Sequence, residues 1–281
     1  MKKNILVYIL IMILLITGIY IGTTKKDTKT KEIPTKKVET LIDKMKKIEY
    51  YNGKYKDRYK DYQKENQNLE LEDIVTRVNL SLDKKPYEET KKTPYPNTDY
   101  ILVNKHIYMG EDYIPEDLEE LDTSYARSGM KLVKKAKKAV EQMAKQAKKE
   151  GFTIRVMSSF RDYQYQVNLY NRYKETDGEE KADTYSARPG FSEHQTGLCI
   201  DIDDGNLSYT NFEKSPSFNW MQENAHKYGF ILRYPKDKTD ITTYTYESWH
   251  YRYVGKEIAS YIKEHNITFD EYYIQFIENK K

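Results

Sequence analysis

The run Ser186-Ala-Arg-Pro-Gly-Phe-Ser-Glu-His-Gln-Thr-Gly-Leu-Cys-Ile-Asp-Ile-Asp203 constrains the fold of this chain more than any other stretch. It opens with turn residues and ends in a short alternating strand. Leu198, Ile200 and Ile202 point to one side of that strand, and Cys199, Asp201 and Asp203 to the other. The apolar side belongs in a core, so Asp201 emerges on the opposite face. A turn at Gly197 lets His194 fold back toward the same point. A second cluster, Glu247-Ser-Trp-His250, adds another histidine with a carboxylate three residues before it. Positions three apart in a strand face opposite ways, so Glu247 has to lie in the turn that precedes a strand beginning at His250.

Two histidines and an aspartate make a three-ligand metal set. Catalytic zinc keeps three protein ligands and one open position, and His194, Asp201 and His250 fit that chemistry, with Glu247 left over as a base. Taken singly, the two histidines read equally well as ordinary, partly buried side chains. Their pairing with carboxylates in two clusters weighs toward the metal.

The same residues carry a resemblance. Ser192-Glu-His194-Gln-Thr-Gly-Leu-Cys-Ile-Asp201 resembles the S-x-H-x6-D element of the VanY-type D-alanyl-D-alanine carboxypeptidases, zinc peptidases that trim peptidoglycan stem peptides. Glu247-Ser-Trp-His250 is similar to their E-x-W-H element, and Ser158-Ser-Phe-Arg161 to their S-x-x-R substrate-binding stretch. The resemblance spans about residues 98–257. Cys199 departs from it where a small apolar residue is expected, and Ser248 where proline is common.

The resemblance implies one zinc ion on His194, Asp201 and His250, with Glu247 taking a proton from water and handing it to the leaving amine. Arg161 would hold the substrate's terminal carboxylate, with Ser159, Gln166 and Ser192 as further substrate-binding candidates; Gln166 lies just over one helical turn beyond Arg161. Removal of the terminal D-alanine from stem peptides is the implied activity. L,D-carboxypeptidase or endopeptidase action, or a wall-binding protein that has lost its chemistry, are the alternatives. A retired enzyme would be expected to show a broken ligand set, and here all four residues are present.

Before the motifs, an uncharged apolar run covers residues 5–22, which at the helical rise reaches about 27 Å and matches a bilayer core. No small-residue cleavage pattern follows it, so it reads as an uncleaved anchor rather than a signal peptide. Lysine counting would put the more basic side, after the run, in the cytoplasm. A cell-wall substrate argues for the reverse: a single-pass membrane protein with its catalytic domain outside, facing the wall. Residues 23–37, mostly Lys and Thr, read as a polar stalk, and 38–97 as a helical or extended region without nameable chemistry. The catalytic domain is expected over 98–265 and a tail over 266–281. A single cysteine precludes an internal disulfide, and a net charge of +3 without a basic-aromatic motif argues against nucleic acid.

Within the catalytic region the patterns predict strands at 100–103, 106–109, 152–157, 230–234 and 250–254. Helices are expected from Leu132 to Ala147, over 162–175, over 218–228 with Ser217 as cap, and over 255–265. Polar loops are expected at 176–183, 206–217 and 235–246, the last as a lid. His106 reads as structural, and His226 and His265 stay outside the metal set. Short strands interspersed with helices predict an α+β domain, a small mixed or antiparallel sheet with flanking helices around a zinc cleft.

Overall fold

The computed structural model describes residues 39–278. Its helices are α1 (Leu41–Met45), α2 (Lys56–Glu65), α3 (Leu71–Asn79), α4 (Lys134–Lys149), α5 (Tyr163–Asp177), α6 (Glu179–Tyr185), α7 (Pro216–Asn224), α8 (Thr239–Thr242), α9 (Lys256–His265) and α10 (Phe269–Phe276). The strands are β1 (Lys91–Lys92), β2 (Ile107–Tyr108), β3 (Leu118–Glu120), β4 (Lys131–Val133), β5 (Arg155–Ser158), β6 (Cys199–Asp203), β7 (Phe230–Leu232) and β8 (His250–Tyr253). This is the mixed α+β class that the alternation of short elements predicted. The expected anchor at 5–22 and the stalk at 23–37 lie outside the described residues. Among the described residues no helix is long and apolar enough to cross a membrane.

An antiparallel sheet in the order β5-β6-β8-β7 organises the molecule. Cross-strand partners share a face, so the register sorts the side chains. Ile200 pairs with Tyr251 and Tyr251 with Leu232, and this face packs against the apolar stripe of α4, from Ala136 through Val140 and Met143 to Ala147. Cys199 with Arg252, and Asp201 with His250, occupy the other face. All five residues of β6 are buried. A strand whose polar face is also covered must have partners for its polar groups.

Asp203 accepts from Arg155 Nε and Nη2, both at 2.9 Å, and Asp201 faces two histidines; a separate buried charge network lies beside the strand. Arg233 and Arg252 are 1% and 0% exposed, and both donate to Glu193 Oε1, at 2.8 and 2.9 Å. Arg233 also donates to Asp270 Oδ2 at 2.6 Å, and Asn104 Nδ2 reaches Asp270 Oδ1 at 3.0 Å. Two guanidinium groups face two carboxylates, so the buried charges are paired.

The local differences from the sequence reading have local causes. Residues 100–103 form no strand: Ile101, Leu102 and Val103 are buried in extended chain, and the Ile101 carbonyl accepts from Arg252 Nη2 at 2.8 Å rather than from a neighbouring strand. Ile107–Tyr108 pairs in parallel with Lys91–Lys92 instead of forming a hairpin with that segment. Leu132 and Val133 belong to β4, paired with β3, and helix α4 starts after them. The 176–183 loop is interrupted by α6, because Gly178 at φ +84° ends α5 and Glu179 and Glu180 suit the first turn of a new helix. Ser215, not Ser217, caps α7, with Pro216 at the first helical position. The 235–246 loop carries the short helix α8. The 266–281 tail contains α10, started by a Thr268/Glu271 capping box and holding Phe269, Tyr273 and Ile274 in the core.

Candidate active site

The turn that delivers His194 is built by its neighbours. Ser192 caps a 3-10 turn over Glu193–Thr196, its side chain accepting from the His194 backbone N–H. Thr196 Oγ1 donates to the Glu193 carbonyl at 2.6 Å and accepts from Leu198 N–H at 3.1 Å, so the turn feeds straight into β6. Gly197 closes it in the left-handed region at φ +66°, and an added Cβ would stand 2.9 Å from Leu118 Cδ2 and 3.2 Å from Val133 Cγ1. Only glycine meets both demands. His194 Nδ1 lies 2.6 Å from the Ser159 carbonyl, which an irregularity between Val156 and Ser158 in the β5–β6 pairing brings within reach. That bond fixes the ring and leaves Nε2 toward β6.

Nε2 of His194 is 3.3 Å from Asp201 Oδ2. On the neighbouring strand His250 Nδ1 is 3.0 Å from Asp201 Oδ1, and the two imidazole centroids are 5.0 Å apart. Glu247 lies in the turn before β8, as the spacing required, with Oε2 3.7 Å from His250 Nδ1. Thus His194, Asp201, His250 and Glu247, drawn from two distant segments, meet on one wall of a cleft of about 550 Å³. Cys199 is close by: one ligand atom each from His194, Cys199 and His250 lie within 4.8 Å of one another. These side chains, with Asp201, are the groups that could hold a metal ion.

The electrostatics are those of closely grouped, buried ionisable side chains. Burial pushes the Glu247 carboxyl up to about 7, although both imidazoles and Arg161 pull the other way. Burial opposes the Asp201 carboxylate too, but the adjacent histidines outweigh it and hold Asp201 well below the usual range. For His194 and His250 burial disfavours the charged ring, and the surrounding acidic groups overcome it and raise both. The attraction that draws protons onto these rings is the one a cation would satisfy.

The four substrate-binding candidates separate. Arg161, Gln166 and Ser192 line the cleft. Arg161 Nε is buried without a hydrogen-bond partner, and Gln166 donates to the Ala187 carbonyl at 2.7 Å while its own Oε1 has none. Ser159 is 2% exposed and off the cleft wall; its hydroxyl accepts from Lys131 N–H, and its contact with the site is the carbonyl that holds His194. Trp249 packs edge-on against Tyr209.

Sequence reasoning missed Glu193, the variable residue inside the S-x-H element. Its Oε1 takes both arginines, and its Oε2 stands 3.6 Å from His250 Nε2 with neither atom otherwise bonded. Tyr234, also missed, lies against the His250 ring at 4.9 Å and packs in turn on Tyr244. Arg252 in β8 and Arg233 just past β7 were the available signal, since charged residues in buried chain call for a carboxylate nearby.

Comparison with known proteins places the region that holds these residues in a family. A family model described as VanY, D-alanyl-D-alanine carboxypeptidase, matches residues 129–256. The chain is 38% identical over 210 residues to the putative carboxypeptidase YodJ of Bacillus subtilis, covering 69% of this chain and 76% of that protein. Among solved structures it is similar to the LdcB LD-carboxypeptidase, with 38% identity, a TM-score of 0.62, and coverage of 68% of this chain and 92% of the other. It is also similar to the vancomycin-resistance D,D-pentapeptidase VanY in complex with Zn(II), with 31% identity, a TM-score of 0.54, and coverage of 62% and 98%. The extent of these matches, over a fold that brings the Ser192–Asp201 and Glu247–His250 segments into one cleft, means that the chain belongs to the VanY family of D-alanyl-D-alanine carboxypeptidases.

Proposed function

We propose that this protein is a zinc carboxypeptidase that removes the terminal D-alanine from peptidoglycan stem peptides, with one ion on His194, Asp201 and His250 and with Glu247 as the base. The observation that carries the reading is the meeting of these four side chains at the wall of one cleft that also presents Arg161. The donors fit zinc. His194 has one nitrogen committed to the Ser159 carbonyl and the other directed at Asp201, and His250 turns Nδ1 toward Asp201 and Glu247 while its Nε2 faces Glu193.

A zinc ion held by these residues would supply Lewis acidity, acidifying water and polarising a carbonyl. Glu247, held at about 7, can take a proton near neutral pH and release it to the leaving amine. Arg161 offers a guanidinium with an unpaired Nε, and a carboxylate is the group that pairs with it through two parallel hydrogen bonds. Gln166 and Ser192 border the same space, with the Gln166 Oε1 free to accept.

A second reading, L,D-carboxypeptidase, is favoured by one observation: the likeness to LdcB is higher in identity and in TM-score than the likeness to VanY. Incubating the protein with two stem peptides, one ending in D-Ala-D-Ala and one ending in a single D-alanine on an L-residue, and weighing the products decides between them. Loss of one alanine from the first peptide supports the D,D reading, and loss only from the second supports L,D. No loss from either sinks both.

The proposed location follows from the substrate: membrane-held through residues 5–22, with the catalytic domain outside the cell facing the wall. Protease treatment of intact cells should then remove the catalytic domain, and full protection would overturn this placement.

A further inference from the structure

Ser248 stands between Glu247 and Trp249, where the resembled pattern commonly has proline, and its hydroxyl accepts from the Glu213 N–H at 3.2 Å. A proline side chain has no acceptor to offer. Glu213 belongs to a 3-10 turn over Tyr209–Lys214, in the segment that follows β6. The turn is pinned at Phe212, which is 0% exposed and packs edge-on against Phe218. Ahead of it Asp204 Oδ1 accepts from the Asn206 and Leu207 N–H groups, and behind it Asp204 Oδ2 accepts from the Ser215 hydroxyl. The turn is thus fixed at both ends and docked on the segment that carries Glu247 and His250.

Tyr209 opens this turn. Its ring lies edge-on against Trp249 with centroids 5.3 Å apart, and it lines the cleft together with Arg161, Asp201, Glu247 and His250. Its hydroxyl makes no hydrogen bond among the described residues; Tyr173, Asp201, Glu247 and Arg161 act on it through space. Burial raises the ionisation of this phenol above its ordinary value, the first three groups add to that and Arg161 opposes, so at neutral pH it keeps its proton and is a donor. In a peptide whose terminal carboxylate is held by Arg161, the scissile carbonyl lies one residue inward, on the side of Asp201 and Glu247. An unbonded donor beside that stretch, on a backbone already fixed, needs no reorganisation when charge develops there.

We propose that Tyr209 donates a hydrogen bond to the scissile carbonyl oxygen as that oxygen takes on negative charge, and that Ser248 is the positioning residue that holds the turn bearing it. This rests on the reading of the cleft as a carboxypeptidase site, and it leaves the three-ligand metal set and its open position as they are. Tyr209 transfers no proton. As water adds to the carbonyl carbon, the C=O π pair moves onto the oxygen and the phenol O–H holds it. The pair returns as the C–N bond breaks, and the amine leaves with the proton that Glu247 took from water.

Two readouts on the zinc-loaded full chain test this: hydrolysis of whichever stem peptide the unaltered protein cleaves, and binding of a phosphinate dipeptide whose tetrahedral oxygens stand in for the charged carbonyl. Tyr209→Phe keeps the ring against Trp249 and removes only the hydroxyl. Its kcat is expected to fall about 10²-fold with KM and metal content little changed. The phosphinate should bind it at least about tenfold more weakly, while the product peptide binds as before. Ser248→Ala should lower kcat where Tyr209 is present and add little in the Tyr209→Phe background; additive losses overturn its positioning role. An unchanged kcat in Tyr209→Phe, or a rise in KM alone, overturns the donor role. If the unaltered protein cleaves neither stem peptide and binds no phosphinate, the carboxypeptidase reading itself falls.

Discussion

At the scale of single residues the proposed division of labour between Glu247 and the ligand set can be tested directly. Replacing His194, Asp201 or His250 with alanine is expected to abolish metal binding, as read by metal analysis of the purified variants. Glu247→Gln is expected to keep the metal and lower turnover by about 10²–10⁴-fold, the usual worth of a general base; unchanged turnover would assign the proton transfer elsewhere. Arg161→Lys keeps the charge but loses the planar fork. Its preference for a free-carboxylate peptide over the C-terminal amide should erode while metal content stays constant. Glu193 acts differently, since its carboxylate compensates Arg233 and Arg252 inside the protein. Glu193→Gln leaves two buried guanidinium groups short of a counter-charge, and a loss of about 3–5 kcal/mol in denaturant unfolding is expected.

At the scale of elements, the segment joining β7 to β8 is held by a buried lysine. Lys105 is 4% exposed, donates to the Thr243 carbonyl at 2.5 Å and lies over the Tyr244 ring. Tyr244 in turn supports Tyr234, which lies on His250. Burial pushes Lys105 down from 10.5 to about 8, with Asp183 opposing and Arg188 adding to the effect. Between those two values the unfolded chain binds more protons than the folded one, so this group's contribution to stability rises with pH. Below about pH 8 its burial penalty is present in full. Unfolding of the wild type measured against Lys105→Met from pH 7 to 10.5 should therefore swing in favour of the wild type by about 3 kcal/mol; a flat difference would mean that Lys105 is not strained by its site. The turn at Gly197 is the other rigid device, and its left-handed, crowded conformation ties His194 to β6.

At the scale of the whole molecule, the N-terminal helices belong to the same unit as the sheet. Residues from Thr40 onward cluster together, α3 packs against α10, and Leu80 shares a core with Ile231, Val254, Phe269 and Tyr273. A single cooperative thermal transition is expected. Leu80→Ala, near the start of the unit, and Phe269→Ala, near its end, should each lower that one midpoint, at a cost of about 2–5 kcal/mol. Two separable transitions, with Leu80→Ala moving only one, would instead make the N-terminal helices a module of their own.

The sequence by itself determined where the motif residues stand in their local elements. Strand alternation put Asp201 opposite the core side of β6, and the three-residue offset put Glu247 in the turn before His250, because both are properties of local backbone geometry. Helix α4 was equally legible, since a lysine-rich face opposite an alanine, valine and methionine stripe has only one stable orientation. Only tertiary structure decided which of the nearby polar residues reach the site. Ser159 turned its hydroxyl to a neighbouring backbone and lent its carbonyl, Glu193 became the counter-charge of two arginines, and Cys199 came to rest within 4.8 Å of a nitrogen of each of two histidines. Each of these outcomes depends on partners that are distant in sequence and that only the packed sheet brings within hydrogen-bonding or ligand distance.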